Sequence, residues 1–85
     1  MADWPPEFDA LLRRHCRLVG TDAPIRPDAL LVTLGMDSLE VVEFIVAIED
    51  AFDLVIPQEM LTPEVFGTPS SVWRTVADLR AGVAR

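Results

Sequence analysis

The chain is nearly devoid of the residues that staple or metallate a small domain: Cys16 is its only cysteine and His15 its only histidine. An internal disulfide is therefore excluded, and one His with one Cys makes no zinc-binding set, so packing alone must hold the fold. Long apolar runs are missing too. No stretch approaches the roughly 20 uninterrupted apolar residues that span a bilayer, and Met1, Ala2, Asp3, Trp4, Pro5 and Pro6 lack the basic and apolar regions of a signal peptide, which places the expected location in the cytoplasm. Basic residues vanish between Arg26 and Arg74, where Asp28, Asp37, Glu40, Glu43, Glu49, Asp50, Asp53, Glu59 and Glu64 all lie, and the net charge is −7. Such a field repels nucleic acid and anionic membranes and steers toward protein surfaces rich in Arg and Lys. The plainer alternative is a solvated acidic face that only maintains solubility. With 85 residues the chain makes one domain, residues 1–85, whose thin core leaves no room for an enclosed active site, so no enzymatic activity is expected.

What the sequence does contain is helical periodicity. Pro5 and Pro6 suit a first turn, and Phe8, Leu11, Leu12, His15 and Val19 recur at helical spacing until Gly20, with Arg13, Arg14 and Arg17 in the last turns where cations favour the helix dipole. Residues 20–36 hold Gly20, Pro24 and Pro27 beside Ile25, Leu30, Leu31, Val32 and Leu34, the pattern of a long loop draped over the core with one helical turn near Asp28 to Leu31. A second helix starts at Asp37, a capping residue whose partner Glu40 stands in capping-box position, and runs to about Phe52. Thr62-Pro63 and Thr68-Pro69 each pair a capping hydroxyl with a proline. They predict a short third helix from Pro63 to Phe66, ended by Gly67, and a fourth from Pro69 to about Ala81 with Gly82 as its cap. Val72, Val76, Leu79 and Val83 form the stripe of the last helix. No alternating strand pattern is present. The expected fold is all-α, a four-helix bundle of three main helices and one short one, and the expected state is a monomer.

The second helix has more apolar residues than a core face needs. At about 100° per residue, Val41, Phe44, Ile45, Ile48 and Phe52 gather on one side. Leu39, Val42 and Val46 project nearly opposite, among Glu43, Asp50 and Asp53, with Glu40 and Glu49 at the edges. Either the 20–36 loop covers them or they form a docking surface rimmed by acids, and periodicity leaves both open. Ser38 follows the cap, at the helix start, where free N–H groups and the dipole favour an anion; a capping serine is the plainer alternative.

Leu34-Gly35-Met36-Asp37-Ser38-Leu39, then Val42-Glu43, Ile48-Glu49-Asp50-Ala51-Phe52, Ile56-Pro57 and Glu59, together resemble the phosphopantetheine-binding carrier proteins of fatty-acid, polyketide and nonribosomal-peptide synthesis. The resemblance implies the acyl-carrier-protein fold, with 4′-phosphopantetheine on Ser38 placed there by a phosphopantetheinyl transferase in a magnesium-dependent reaction. It further implies a thioester cargo supplied by an acyl- or aminoacyl-loading enzyme. Acyltransferase, synthase or synthetase acceptors with basic docking surfaces would then receive that cargo. The positions implied for partner recognition are Asp37, Leu39, Glu40, Val42, Glu43, Val46, Glu49 and Asp50, with Ile56, Glu59 and Met60 at the far end. Gln58, where many fatty-acid carriers have an acid, and the long stretch from Met60 to Pro69 are more similar to free-standing carriers of specialised polyketide or nonribosomal-peptide pathways.

Two other functions compete. Gly35-Met36-Asp37-Ser38-Leu39 superficially resembles the Gly-Asp-Ser-Leu hydrolases, but a serine nucleophile needs a base, and His15 lies on the apolar stripe of the first helix. His15 and Cys16 themselves cannot pair, since adjacent helical side chains diverge by about 100°. The remaining competitor is an acidic helical module that docks a basic partner without ever being modified.

Overall fold

The computed structural model describes residues 4–20 and 23–82. Its helices are α1 (Pro6–His15), α2 (Ser38–Phe52) and α3 (Pro69–Arg80), with single 3₁₀ turns at Leu31–Leu34 and Gln58–Met60. The described residues include no strand, and no helix among them is long and apolar enough to cross a membrane.

Each helix sends two fully enclosed side chains to a common centre: Phe8 and Leu12 from α1, Phe44 and Ile48 from α2, Val72 and Val76 from α3. Phe8 is the hub. Its ring centroid lies 5.8 Å from Trp4 edge-on, 5.9 Å from Phe44 and 5.2 Å from Trp73, separations at which aromatic pairs add to simple area burial. Arg80 covers the outer rim, its guanidinium 5.2 Å from the Phe52 ring and 5.8 Å from Trp73.

α1 stops at His15, short of the Gly20 that the spacing of Val19 suggests. Cys16 turns extended (φ −103°, ψ 93°) and buries its side chain completely, while the Leu18 N–H leaves the helix axis to donate to the Leu34 carbonyl at 3.0 Å. Arg17 consequently lies beyond the helix. Arg13 remains inside it, holding Asp9 at 2.7 Å and donating to the carbonyls of Gly20 and Ala23.

The long loop is pinned at both sides. Leu31 N–H donates to Gly67 O at 2.9 Å and Ser70 N–H to Pro27 O at 3.0 Å, while Ile25, Leu31 and Met36 are buried. Its helical turn falls at Leu31–Leu34, three residues later than expected near Asp28 to Leu31; Arg26 to Ala29 forms a simple turn instead. Gly35 ends this 3₁₀ segment at φ +97°, a left-handed conformation that glycine adopts at no steric cost. The site also demands glycine for space, since a Cβ there would sit 2.8 Å from the Leu18 nitrogen.

The expected short helix at Pro63 to Phe66 is a turn rather than a helix. It closes one helical hydrogen bond, Phe66 N–H to Thr62 O at 3.0 Å, and then Gly67 and Thr68 redirect the chain. The architecture is thus the three main helices of the expected bundle, with a capped turn in place of the short third helix. Thr68 starts α3 as its sequence suggests: its hydroxyl accepts the Ser71 N–H at 3.2 Å and the Ser71 hydroxyl accepts the Thr68 N–H at 3.3 Å. Gly82 follows the Ala81 cap at φ +72°, and Val83 lies outside the described residues.

Candidate functional site

The start of α2 is built by the loop before it. Met36 is buried and its N–H donates to Leu31 O at 3.1 Å, so the backbone is fixed directly ahead of the helix. Asp37 then caps α2, its carboxylate accepting the Glu40 N–H at 2.8 Å. The reciprocal half of the expected capping box does not form. Glu40 turns to α1, where its Oε2 lies 2.7 Å from Nδ1 of the buried His15.

Ser38, the first residue of α2, is exposed, and its Oγ bonds to no described residue. It stands on the lip of two shallow apolar grooves. One, about 310 Å³, runs between α2 and the following turn, past Val41, Ile45, Leu61 and Phe66; the other, about 290 Å³, runs toward Leu30, Val32 and Met36. A phosphodiester on this hydroxyl would meet the free N–H groups and positive end of a 15-residue helix, with Asp37 opposing. A cation stands close by: Arg17 Nη2 is 3.8 Å from Asp37 Oδ2. Residues and space both fit an esterified, swinging arm: an open oxygen, anion-favouring N–H groups and apolar walls.

Along the outer face, Leu39, Val42 and Val46 are 70%, 57% and 58% exposed. The 20–36 loop therefore does not cover them. Asp37, Glu43, Asp50 and Glu59 are exposed around them, and Met60 is half-buried. The other expected positions have structural work. Glu40 holds His15, and Glu49 accepts the Ile56 N–H at 2.9 Å, closing the chain reversal after α2. Ile56 belongs to the core, 5% exposed, and its neighbour Val55 is the outward residue at 77%. Two adjacent residues in extended chain point to opposite sides, so burying Ile56 exposes Val55. Val55 and Leu61 are exposed apolar residues that the sequence pattern did not single out, and Leu30 and Val32, expected among the apolar residues of the loop draped over the core, are exposed as well. Val55 and Val32 each stand beside a buried residue, Ile56 and Leu31, whereas Leu61 stands between the half-buried Met60 and Thr62.

His15, Glu40 and Glu43 bring one potential ligand atom each within 4.8 Å. The direct His15 to Glu40 contact accounts for that grouping. Cys16 beside them is sealed from solvent, and burial, reinforced by the negative charge of Glu40, pushes its thiol up to about 11. Neither residue makes a nucleophile–base contact with Ser38: His15 Nδ1 is engaged by Glu40, and its Nε2 is buried without a partner among the described residues.

Residues 9–79 match the family described as phosphopantetheine attachment site. Aminoacyl carrier protein 2 of Bradyrhizobium diazoefficiens is 35% identical over 54 residues, 64% of this chain and 61% of that protein. Aminoacyl carrier protein 1 of the same organism is 37% identical over 54 residues, 64% of this chain and 60% of its own. The chain thus spans about three fifths of the length of these relatives. In a crystal structure of Bradyrhizobium japonicum glycine:[carrier protein] ligase complexed with cognate carrier protein and an analogue of glycyl adenylate, one chain superposes with a TM-score of 0.68 at 28% identity, covering 86% of this chain and 97% of that one.

Proposed function

Because the chain belongs to the phosphopantetheine attachment-site family, we propose that it is a carrier protein whose Ser38 hydroxyl bears 4′-phosphopantetheine and which presents thioester-bound intermediates to partner enzymes. When bound, the arm supplies a mobile thiol that holds the cargo. The chain's own residues do the remaining work: Asp37 caps and fixes the helix start, the N–H groups behind Ser38 face the phosphodiester, and the flanking grooves give the arm apolar walls. The chain carries and does not catalyse. The observation that supports this most directly is the exposed, unengaged hydroxyl at the capped N-terminus of α2.

Partners dock on the outer face of α2 through Leu39, Val42 and Val46, rimmed by Asp37, Glu43, Asp50 and Glu59, with Met60 at the far end. A basic complementary surface meets that rim: a phosphopantetheinyl transferase first, then a loading enzyme and an acceptor. Apolar contact supplies affinity, and charge supplies the rate and register of encounter. Likeness to two aminoacyl carriers and to a carrier bound to a glycine-activating ligase favours an aminoacyl cargo. Residues 1–85 act as a single monomeric carrier domain in the cytoplasm, where coenzyme A provides the arm.

Incubation with coenzyme A and a broad phosphopantetheinyl transferase, followed by intact mass, tests the assignment. Wild type gains one phosphopantetheine and Ser38→Ala gains none. A wild type that stays unmodified leaves only an acidic docking module, and an arm found on Ser38→Ala moves the attachment elsewhere.

A further inference from the structure

All seven basic residues of this chain are arginine; it contains no lysine and no tyrosine. Its only thiol, Cys16, is completely buried, and its only imidazole, His15, is buried with Nδ1 against Glu40 and Nε2 facing the interior. Amines, thiolates and imidazoles are the side-chain groups that capture an acyl group from a thioester. In this molecule each class is either absent or walled off.

That pattern matters because of geometry. The domain measures 34 × 26 × 21 Å, so no part of its surface is far from Ser38, and a tethered electrophile meets its own carrier at about millimolar effective concentration. The cation next to the anchor is the sharpest case. Arg17 is 70% exposed and reaches to 3.8 Å from Asp37, the residue before Ser38. A lysine there would supply the same charge and also a nucleophile. Guanidinium stays protonated throughout the physiological range and does not attack.

We propose that the side chains of this polypeptide are chemically silent toward its own thioester, which fits a cargo of electrophilic, short acyl or aminoacyl groups that a side-chain amine would capture irreversibly. The inference rests on the carrier function proposed above. The reaction avoided is defined: an amine nitrogen adds to the thioester carbonyl, the C–S bond breaks as the amide C–N bond forms, and the proton lost from nitrogen ends on the departing thiol of the arm. Nothing is oxidised or reduced, and the cargo is lost to the pathway.

The test loads wild type and Arg17→Lys from acetyl-coenzyme A with a broad transferase and holds both at about pH 9, where part of a lysine population is unprotonated. Intact masses and peptide maps are read before and after hydroxylamine, which strips thioesters and leaves amides. After hydroxylamine wild type should carry no acetyl on any side chain, the peptide map separating side-chain amides from acetylation of the terminal amine, which is unprotonated at this pH. Arg17→Lys should retain roughly a tenth or more of its acetyl as an amide on residue 17, given millimolar proximity. Acetyl on a wild-type side chain, Cys16 included, overturns the proposal, as does an Arg17→Lys protein that loses its cargo by hydrolysis alone. A parallel incubation of both unmodified proteins with a diffusible acetyl thioester needs no arm. Side-chain labelling confined to residue 17 of the variant supports silence, and side-chain labelling of wild type refutes it. Failure of the arm to attach at all counts against the carrier function and is seen separately.

Discussion

Alkali should unfold this domain through a single atom. Between about pH 9 and 11 the side chains that normally titrate are Cys, Tyr and Lys, and this chain has neither Tyr nor Lys, while a terminal amine has already lost its proton and arginine keeps its own. Cys16 is left alone in that window. Burial, aided by the nearby Glu40 carboxylate, moves its thiol from an ordinary 9.0 to about 11 in the folded state. The folded protein therefore holds that proton more tightly than the unfolded chain. Its contribution is complete below pH 9 and is lost as pH rises to about 11. Each pH unit of that interval is worth roughly 1.4 kcal/mol, so the fall is about 2 to 3 kcal/mol, a large share of what a small domain has to spare. Urea unfolding of the protein without its arm, at pH 8, 9, 10 and 11, measures it, and thiolate absorbance tracks the same proton. Cys16→Ala, less stable at pH 8 through its small cavity, should show a flat profile across the window. A flat wild-type profile, or an equal fall in Cys16→Ala, would refute the reasoning.

Two further outcomes follow from the site's construction. Gly35→Ala should destabilise the fold by roughly 2 to 3 kcal/mol, because it combines a left-handed backbone with a Cβ 2.8 Å from the Leu18 nitrogen, and thermal unfolding would register it; an unchanged melting temperature contradicts that close approach. Glu43→Arg and Asp50→Arg, both at exposed positions, should leave the circular dichroism spectrum unchanged while slowing cargo loading several-fold at low salt, with the difference narrowing as salt rises; equal rates across the salt series would remove the acidic rim from recognition.

The parts of the fold that could be read from sequence are those decided locally. Asp37 and Thr68 announce helix starts because a short side-chain oxygen satisfies a backbone N–H two or three residues on, and both do so here. The core face of α2 follows from its period, with Phe44 and Ile48 fully enclosed. Misreadings cluster where a distant partner decides. The end of α1 depends on Leu18 pairing with Leu34, and Val19 keeps helical spacing by coincidence. Thr62-Pro63 carries the same start signal as Thr68-Pro69, yet its turn has only residues up to Phe66 before Gly67, too few to repay helix nucleation. Ile56 and Val55 cannot be sorted by composition, since both are β-branched and only the tertiary fold decides which one faces inward.

The acids of α2 divide between contacts that hold the fold and the proposed docking face. Glu40 and Glu49 stand among exposed acids in sequence, but each reaches back to the body: Glu40 to His15 of α1, Glu49 to the Ile56 N–H of the chain that returns toward α3. These two contacts lie toward the two ends of the helix, and Glu43 between them and Asp50 just past Glu49 remain at the surface. A carboxylate already bonded within its own molecule has less to offer a visiting arginine, because the incoming pair must first break the existing contact. On the proposed docking face, recognition charge would therefore fall to the acids that hold nothing else among the described residues. Ser38 benefits from the Glu40 contact. With Glu40 fastened to α1, Met36 buried and Gly35 close against Leu18, the backbone leading into Ser38 is tied to the body of the domain, so under the proposed carrier function the mobility of a cargo would reside in the tether.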